Sequence, residues 1–284
     1  MIDVLTKIGR TRYQQDMEFT MRLLEKPYAV KIRHILGRQY LNTARYLEMG
    51  IYNVEHIASE TQRMIKTVSL HYKRVASTMQ NKVQEYLNGE KSSSIDFEMK
   101  ENPSTMNVFW AAVKLFIAEQ AVEQVTKVNN TTKSLLRMIV ERGMIEGKTF
   151  REIAKEIRVI KGITNSYRAM VIAKTETHSV TIFSVDKAIV SSGLVTEREW
   201  MNAGDERVRE DPFSHVAANG ERVGVDEKFV KTGEPLSYPG DPDGSAANVI
   251  LCRCVLLYLM TRKAVTNNIN KRKLEQRRGR ICYG

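Results

Sequence analysis

The sequence predicts an α+β protein, with a long helical N-terminal region followed by a smaller, loop-rich α+β domain and a basic tail. Three observations predict it. Apolar residues recur at helical spacing through most of the first 190 positions. After Gly193, Gly and Pro become frequent and short strand-like runs appear. Residues 266–284 then carry six basic side chains against one acid, Glu275, with no apolar period.

The elements follow in order. From Arg10 to Leu47, Met17, Met21, Leu24, Ile32, Ile35 and Leu36 keep a helical period, and Pro27 is expected to break or kink the stretch. A second helix is expected from about Val54 to Leu87. Its stripe of Ile57, Ile65, Val68, Tyr72, Val75, Met79, Val83 and Tyr86 wants a partner helix. Gly, Ser and Pro in residues 88–105 read as a loop or linker. A helix starts near Met106, pauses at Asn129–Thr132 and resumes to about Glu146. Thr149 and Glu152 fit a capping box for a short helix ending near Ile160, and a further helix spans about Asn165 to Ser191, closed by Gly193. Beyond it, Glu197–Met201, Lys228–Val230 and Val249–Leu259 read as strands. The organisation is thus a helical region over 1–90, a linker over 91–105, a helical connector over 106–163, an α+β domain over 164–262 and a basic tail over 263–284.

Composition narrows the function classes. The chain has 284 residues, 42% hydrophobic and 27% charged, which suits a folded domain. No run has the roughly 18–20 apolar residues of a membrane span, and the N-terminus lacks the apolar segment of a signal peptide. A cytoplasmic site of synthesis and no membrane partner are therefore expected. Three cysteines are too few for a disulfide framework. The formal net charge of +11 favours a polyanionic partner such as DNA. Lys271, Arg272, Lys273, Arg277, Arg278 and Arg280 are the candidate DNA-contacting residues. No P-loop, GxGxxG, HExxH or GxSxG motif is present.

The chemistry-bearing residues concentrate after position 170. Cys252 and Cys254 are one residue apart, so on an extended chain both face one way. With His215 and an aspartate, Asp211 or Asp205, they form a candidate zinc site. The Cys-x-Cys spacing is shorter than the usual zinc spacing, and the competing reading is that both thiols pack as small apolar groups. Asp205, Arg207 and Arg209 share a face if extended. They read as a buried ion-pair network, with Glu176 or Asp241 as carboxylate partners, or else as an anion site. Glu176 lies on the apolar stripe Ile172, Glu176, Val180, Phe183, where a carboxylate needs a partner; anchoring Arg207 or Arg209 is the preferred reading. Trp200 is expected in the core, and Pro239–Pro242 in a rigid turn. His34, His56, His71 and His178 read as surface or packing residues.

Taken together, Thr175-Glu176, Gly193, Trp200, Asp205-x-Arg207-x-Arg209, His215, Ala218-Asn219-Gly220, Phe229, YPGDP at 238–242 and CRC at 252–254 resemble the C-terminal domain of the Mu F-type phage head morphogenesis proteins. The resemblance covers about residues 165–258. Two features depart from the family pattern: five residues rather than two separate Arg209 from His215, and Leu251 stands before CRC where Asn is common. The resemblance implies a minor capsid protein of few copies at the portal vertex, acting in head assembly or in DNA packaging and ejection. It implies the portal protein, major capsid or scaffold protein and double-stranded DNA as partners, and the virion as location. The rival readings are a metal-dependent nuclease or transferase built on His215, Asp205, Arg207 and Glu176, and a DNA-binding regulator, against which the missing helix-turn-helix pattern argues.

Overall fold

The computed structural model describes residues 7–52, 60–88 and 103–260. Four long helices come first: α1 (Lys7–Glu48), α2 (Thr61–Asn88), α3 (Pro103–Ile145) and α4 (Phe150–Val190). The strands β1 (Val195–Met201) and β2 (Arg222–Gly224), the single turn α5 (Ala246–Val249) and β3 (Val255–Met260) complete the α+β part. The N-terminal portion of the second predicted helix, residues 53–59, most of the linker and the whole basic tail lie outside the described residues. Among the described residues, no helix is long and apolar enough to cross a membrane.

The helices are fewer and longer than their sequence signals suggest. α1 runs through Pro27 unbroken. Proline removes one backbone bond, but Met21, Leu24, Tyr28 and Ile32 on either side are buried in one core, and that packing holds the helix together. α3 does not pause at 129–132. Asn129 is buried and joins three helices: Gln39 Nε2 donates to its Oδ1 (2.8 Å), and its Nδ2 donates to Thr61 Oγ1 (2.9 Å). Thr131 and Thr132 turn their hydroxyls back onto the carbonyls of Lys127 and Val128. A polar run that looked like a breaker is thus an interhelical tie.

α4 begins at the expected capping box, with Thr149 Oγ1 accepting from the Glu152 amide while Glu152 accepts from the Thr149 amide. It then continues past Ile160 to Val190 without the expected break. Its first turns pack Ile153, Ala154 and Ile157 against Tyr40, Leu47 and Leu136 in a small core. Its later turns join the main core, which is shared by all four helices and the sheet. α4 packs along α1 and also touches β3, so one helix belongs to both the bundle and the C-terminal part.

The sheet has the order β2-β1-β3, all antiparallel, with Arg198 opposite Val223 and Trp200 opposite Leu256. Val249–Leu259 is not one strand: it is α5, an irregular stretch containing the cysteines, then β3. Lys228–Val230 contributes only an isolated bridge, Phe229 to Leu236. β1 is central and is buried on both faces from Arg198 onward. Trp200 is fully buried, as expected, edge-on to Phe229 at 5.3 Å.

Candidate functional site

The CRC segment precedes β3 and its burial alternates, with Arg253 half-buried between two buried cysteines. Cys252 and Cys254 turn inward and are buried, and both approach one imidazole. Cys254 Sγ lies 3.3 Å and Cys252 Sγ 3.7 Å from Nδ1 of His215. All three donor atoms lie within 4.8 Å of one another, and among the described residues they form the one group of this kind able to hold a metal ion. Asp211 is not part of it; it is exposed on a surface turn. Asp205 is also elsewhere, as described below.

The imidazole is fixed from behind. His215 Nε2 meets Asn248 Oδ1 at 2.7 Å. Asn248 Nδ2 donates to the Thr232 carbonyl (3.2 Å) and to Glu234 Oε2 (3.1 Å), which sets the amide orientation. Oδ1 must therefore accept, Nε2 must carry the proton, and the lone pair of Nδ1 faces the two sulfurs. Trp200 closes the site, its ring edge-on to His215 at 5.2 Å. Burial raises both thiols. At Cys252 it is outweighed by the neighbouring Cys254, His178 and His215, which hold that thiol well below its ordinary value. At Cys254 burial and the bond to Cys252 prevail and push the thiol well up.

Arg253, between the cysteines, faces the other way. Its guanidinium grips Asp205 with two bonds of 2.5 and 2.7 Å. Asp205 also takes the Arg207 amide and guanidinium, and Arg253 foremost holds its carboxyl well below the usual carboxylate range. Arg209 donates to the carbonyl of Ile250, and its own carbonyl accepts from the His215 amide (2.9 Å). That last bond explains the long gap before the histidine. Residues 210–214 loop outward, and the ends of the loop meet as Arg209 and His215.

The expected ion-pair network is therefore corrected. Arg207 is 76% exposed and, among the described residues, its ion-pair partner is Asp205. The Asp241 carboxylate accepts from the amides of Ser237 (2.7 Å) and Asp243 (3.1 Å) and shapes the YPGDP turn. Glu176 faces the helices instead, accepting from the Tyr72 hydroxyl of α2. Burial pushes its carboxyl up to about 7, opposed by that bond. The buried pair of this region is Arg198 with Asp186, both 3% exposed, and no distinctive spacing announced it.

The YPGDP turn docks on α4 through Gly240, which has φ 78°. A Cβ there would lie 2.6 Å from His178 Nδ1. His178 Nε2 in turn donates to the Cys254 carbonyl (2.8 Å), and the Leu251 amide donates to Thr175 Oγ1 (3.2 Å). The TE segment, the proline-glycine turn and the CRC segment thus meet at one place on α4. Sequence reasoning found the cysteines, His215 and the turn. It missed Asn248, the Arg253–Asp205 pair and the role of His178, for which no local signal exists.

The site thus lies in an α+β module anchored to a long bundle helix. Residues 135–257, less than half of the chain, match the family model of phage Mu protein F like protein. The matched segment takes in the end of α3, all of α4 and the module up to β3. No curated protein and no solved structure matches the chain.

Proposed function

We propose that the protein is a minor component of a tailed-phage capsid, seated at the portal vertex, where it acts in head assembly and in DNA packaging or ejection. The observation that carries this reading is the family match over 135–257, in a module mounted on the same helix that packs along α1. The portal protein and the major capsid or scaffold protein are its proposed protein partners. α3 offers a face for one of them: Val108, Leu115 and Val122 are exposed and stand seven residues apart. Double-stranded DNA is the proposed partner of Lys271, Arg272, Lys273, Arg277, Arg278 and Arg280, in keeping with a net charge of +11.

Two experiments test it. Asymmetric reconstruction of the virion is expected to place density for the protein at the portal vertex; density spread over the capsid faces, or absence from the virion, refutes the placement. Full-length protein is expected to bind duplex DNA with log K falling against log salt at a slope of about −4.5, for about five neutralised phosphates. Truncation at Thr266 should weaken binding and flatten the slope. Unchanged DNA binding with lost portal association makes the tail a protein-docking element instead.

A metal-dependent nuclease or transferase is the second reading. The donor set of His215, Cys252 and Cys254 favours it, since three protein ligands leave one position for water. The burial of all three favours a structural role. Nicking of plasmid DNA by metal-loaded protein, lost in His215→Gln, would establish the enzyme.

A further inference from the structure

We infer that His215, Cys252 and Cys254 bind one zinc ion, which staples the α+β module closed. The inference stands apart from the virion reading and rests on four observations.

The first is geometric. For a tetrahedral zinc with Zn–S near 2.3 Å and Zn–N near 2.0–2.1 Å, sulfur and nitrogen ligands are separated by about 3.6 Å. The two sulfur-to-Nδ1 distances, 3.3 and 3.7 Å, bracket that value. The second is the tautomer. Asn248, itself oriented by Thr232 and Glu234, takes the Nε2 proton and leaves the Nδ1 lone pair aimed at the sulfurs. Such a carbonyl-type partner on the far nitrogen is the usual support of a metal-bound histidine. The third is convergence. Two sulfurs and one ring nitrogen lie within 4.8 Å of one another, and one cation engages all three donors together. The fourth is chemical class. Two thiolates and an imidazole form a soft donor set, which suits zinc over calcium or magnesium.

The three ligands come from separate segments. His215 follows the outward loop 210–214, Cys252 follows α5, and Cys254 leads into β3. A zinc ion there joins the end of the outward loop to the segment between α5 and β3. Among the described residues no fourth His, Cys, Asp or Glu joins the group, and water completes the coordination.

The test uses full-length protein in a Cys282→Ser background, so that the third thiol does not contribute. Protein expressed with added zinc is expected to carry about one equivalent by elemental analysis. Apo-protein given cobalt(II) is expected to show intense sulfur-to-cobalt charge-transfer absorption and tetrahedral d–d bands. Asp211→Asn should keep both signals. Cys252→Ser, Cys254→Ser and His215→Gln should lose stoichiometric zinc, and Asn248→Ala should weaken zinc affinity about 10–100-fold. Where a ligand variant fails to fold, the cobalt spectrum of the parent decides. Less than about a tenth of an equivalent of zinc in folded parent, with no charge-transfer band on adding cobalt, overturns the site. So does full zinc retention in folded Cys252→Ser/Cys254→Ser.

Discussion

Replacing Arg198 with Met removes a charge while keeping chain length. The guanidinium is 97% buried. Its Nη1 lies 3.5 Å from both Asp186 oxygens and donates to the Ser237 carbonyl at 2.9 Å. Its Nη2 donates to the carbonyls of Glu227 (2.5 Å) and Gly224 (3.3 Å), and the group lies over the Phe229 ring. One side chain therefore ties β1 to α4, to the loop after β2 and to the residue before YPGDP. Removing one member of a buried ion pair costs about 3–5 kcal/mol, because the other is left uncompensated. For a chain of this size each kcal/mol moves the midpoint by about 2–4 °C, so Arg198→Met should melt about 6–20 °C lower. Burial already raises the Asp186 carboxyl, with Arg198 opposing. Without the arginine the carboxyl rises further. A raised acid stabilises the fold when protonated, so the deficit should shrink as the pH falls through the Asp186 range. Arg198→Met/Asp186→Asn should recover part of the loss, since no charge is then stranded. Arg207→Ala, at an exposed pair, should stay within about 0.5 kcal/mol of the parent. Calorimetry or circular dichroism reads the midpoints. Arg198→Met melting within about 2 °C of the parent, or Arg207→Ala falling as far, would refute the assignment of Arg198 as the tie.

Three further outcomes are expected. Glu176, with its carboxyl raised from 4.5 to about 7, stabilises the fold when protonated. That contribution is lost as pH rises from about 4.5 to 7, by at most about 3 kcal/mol. Urea midpoints of Glu176→Gln should therefore lack this part of the parent's decline, and parallel profiles for the two proteins would count against it. Leu251 holds φ 58°, a left-handed conformation that costs a side-chain-bearing residue about 1–2 kcal/mol. Leu251→Asn or Leu251→Gly should raise the melting midpoint; a lower midpoint in both would show that Leu251 packs more than it strains. Gly240→Ala should destabilise by more than about 1 kcal/mol, since its Cβ meets His178 and its φ is positive. Parent-like melting would show that the turn shifts without loss.

The sequence by itself determined the α+β class, the capping box at Thr149, the burial of Trp200 and the common facing of Cys252 and Cys254. These are legible because each is written locally, as a 3.6-residue period, as a cap three residues long, or as a rare residue pair with one side chain facing per two positions. Helix continuity was not legible. Pro27 and the Asn129–Thr132 run each weaken a helix locally by a few kcal/mol at most, and tertiary burial against neighbouring helices decides whether it breaks. Charge pairing was decided only in three dimensions. Asp205 has Arg207 two residues away, but its two-bonded partner is Arg253, 48 residues on. Arg198 looked like any strand arginine until the fold buried it against Asp186 and three carbonyls. A buried charge takes the partner that reaches it in the folded chain, and that distance is fixed by packing, which no local spacing encodes.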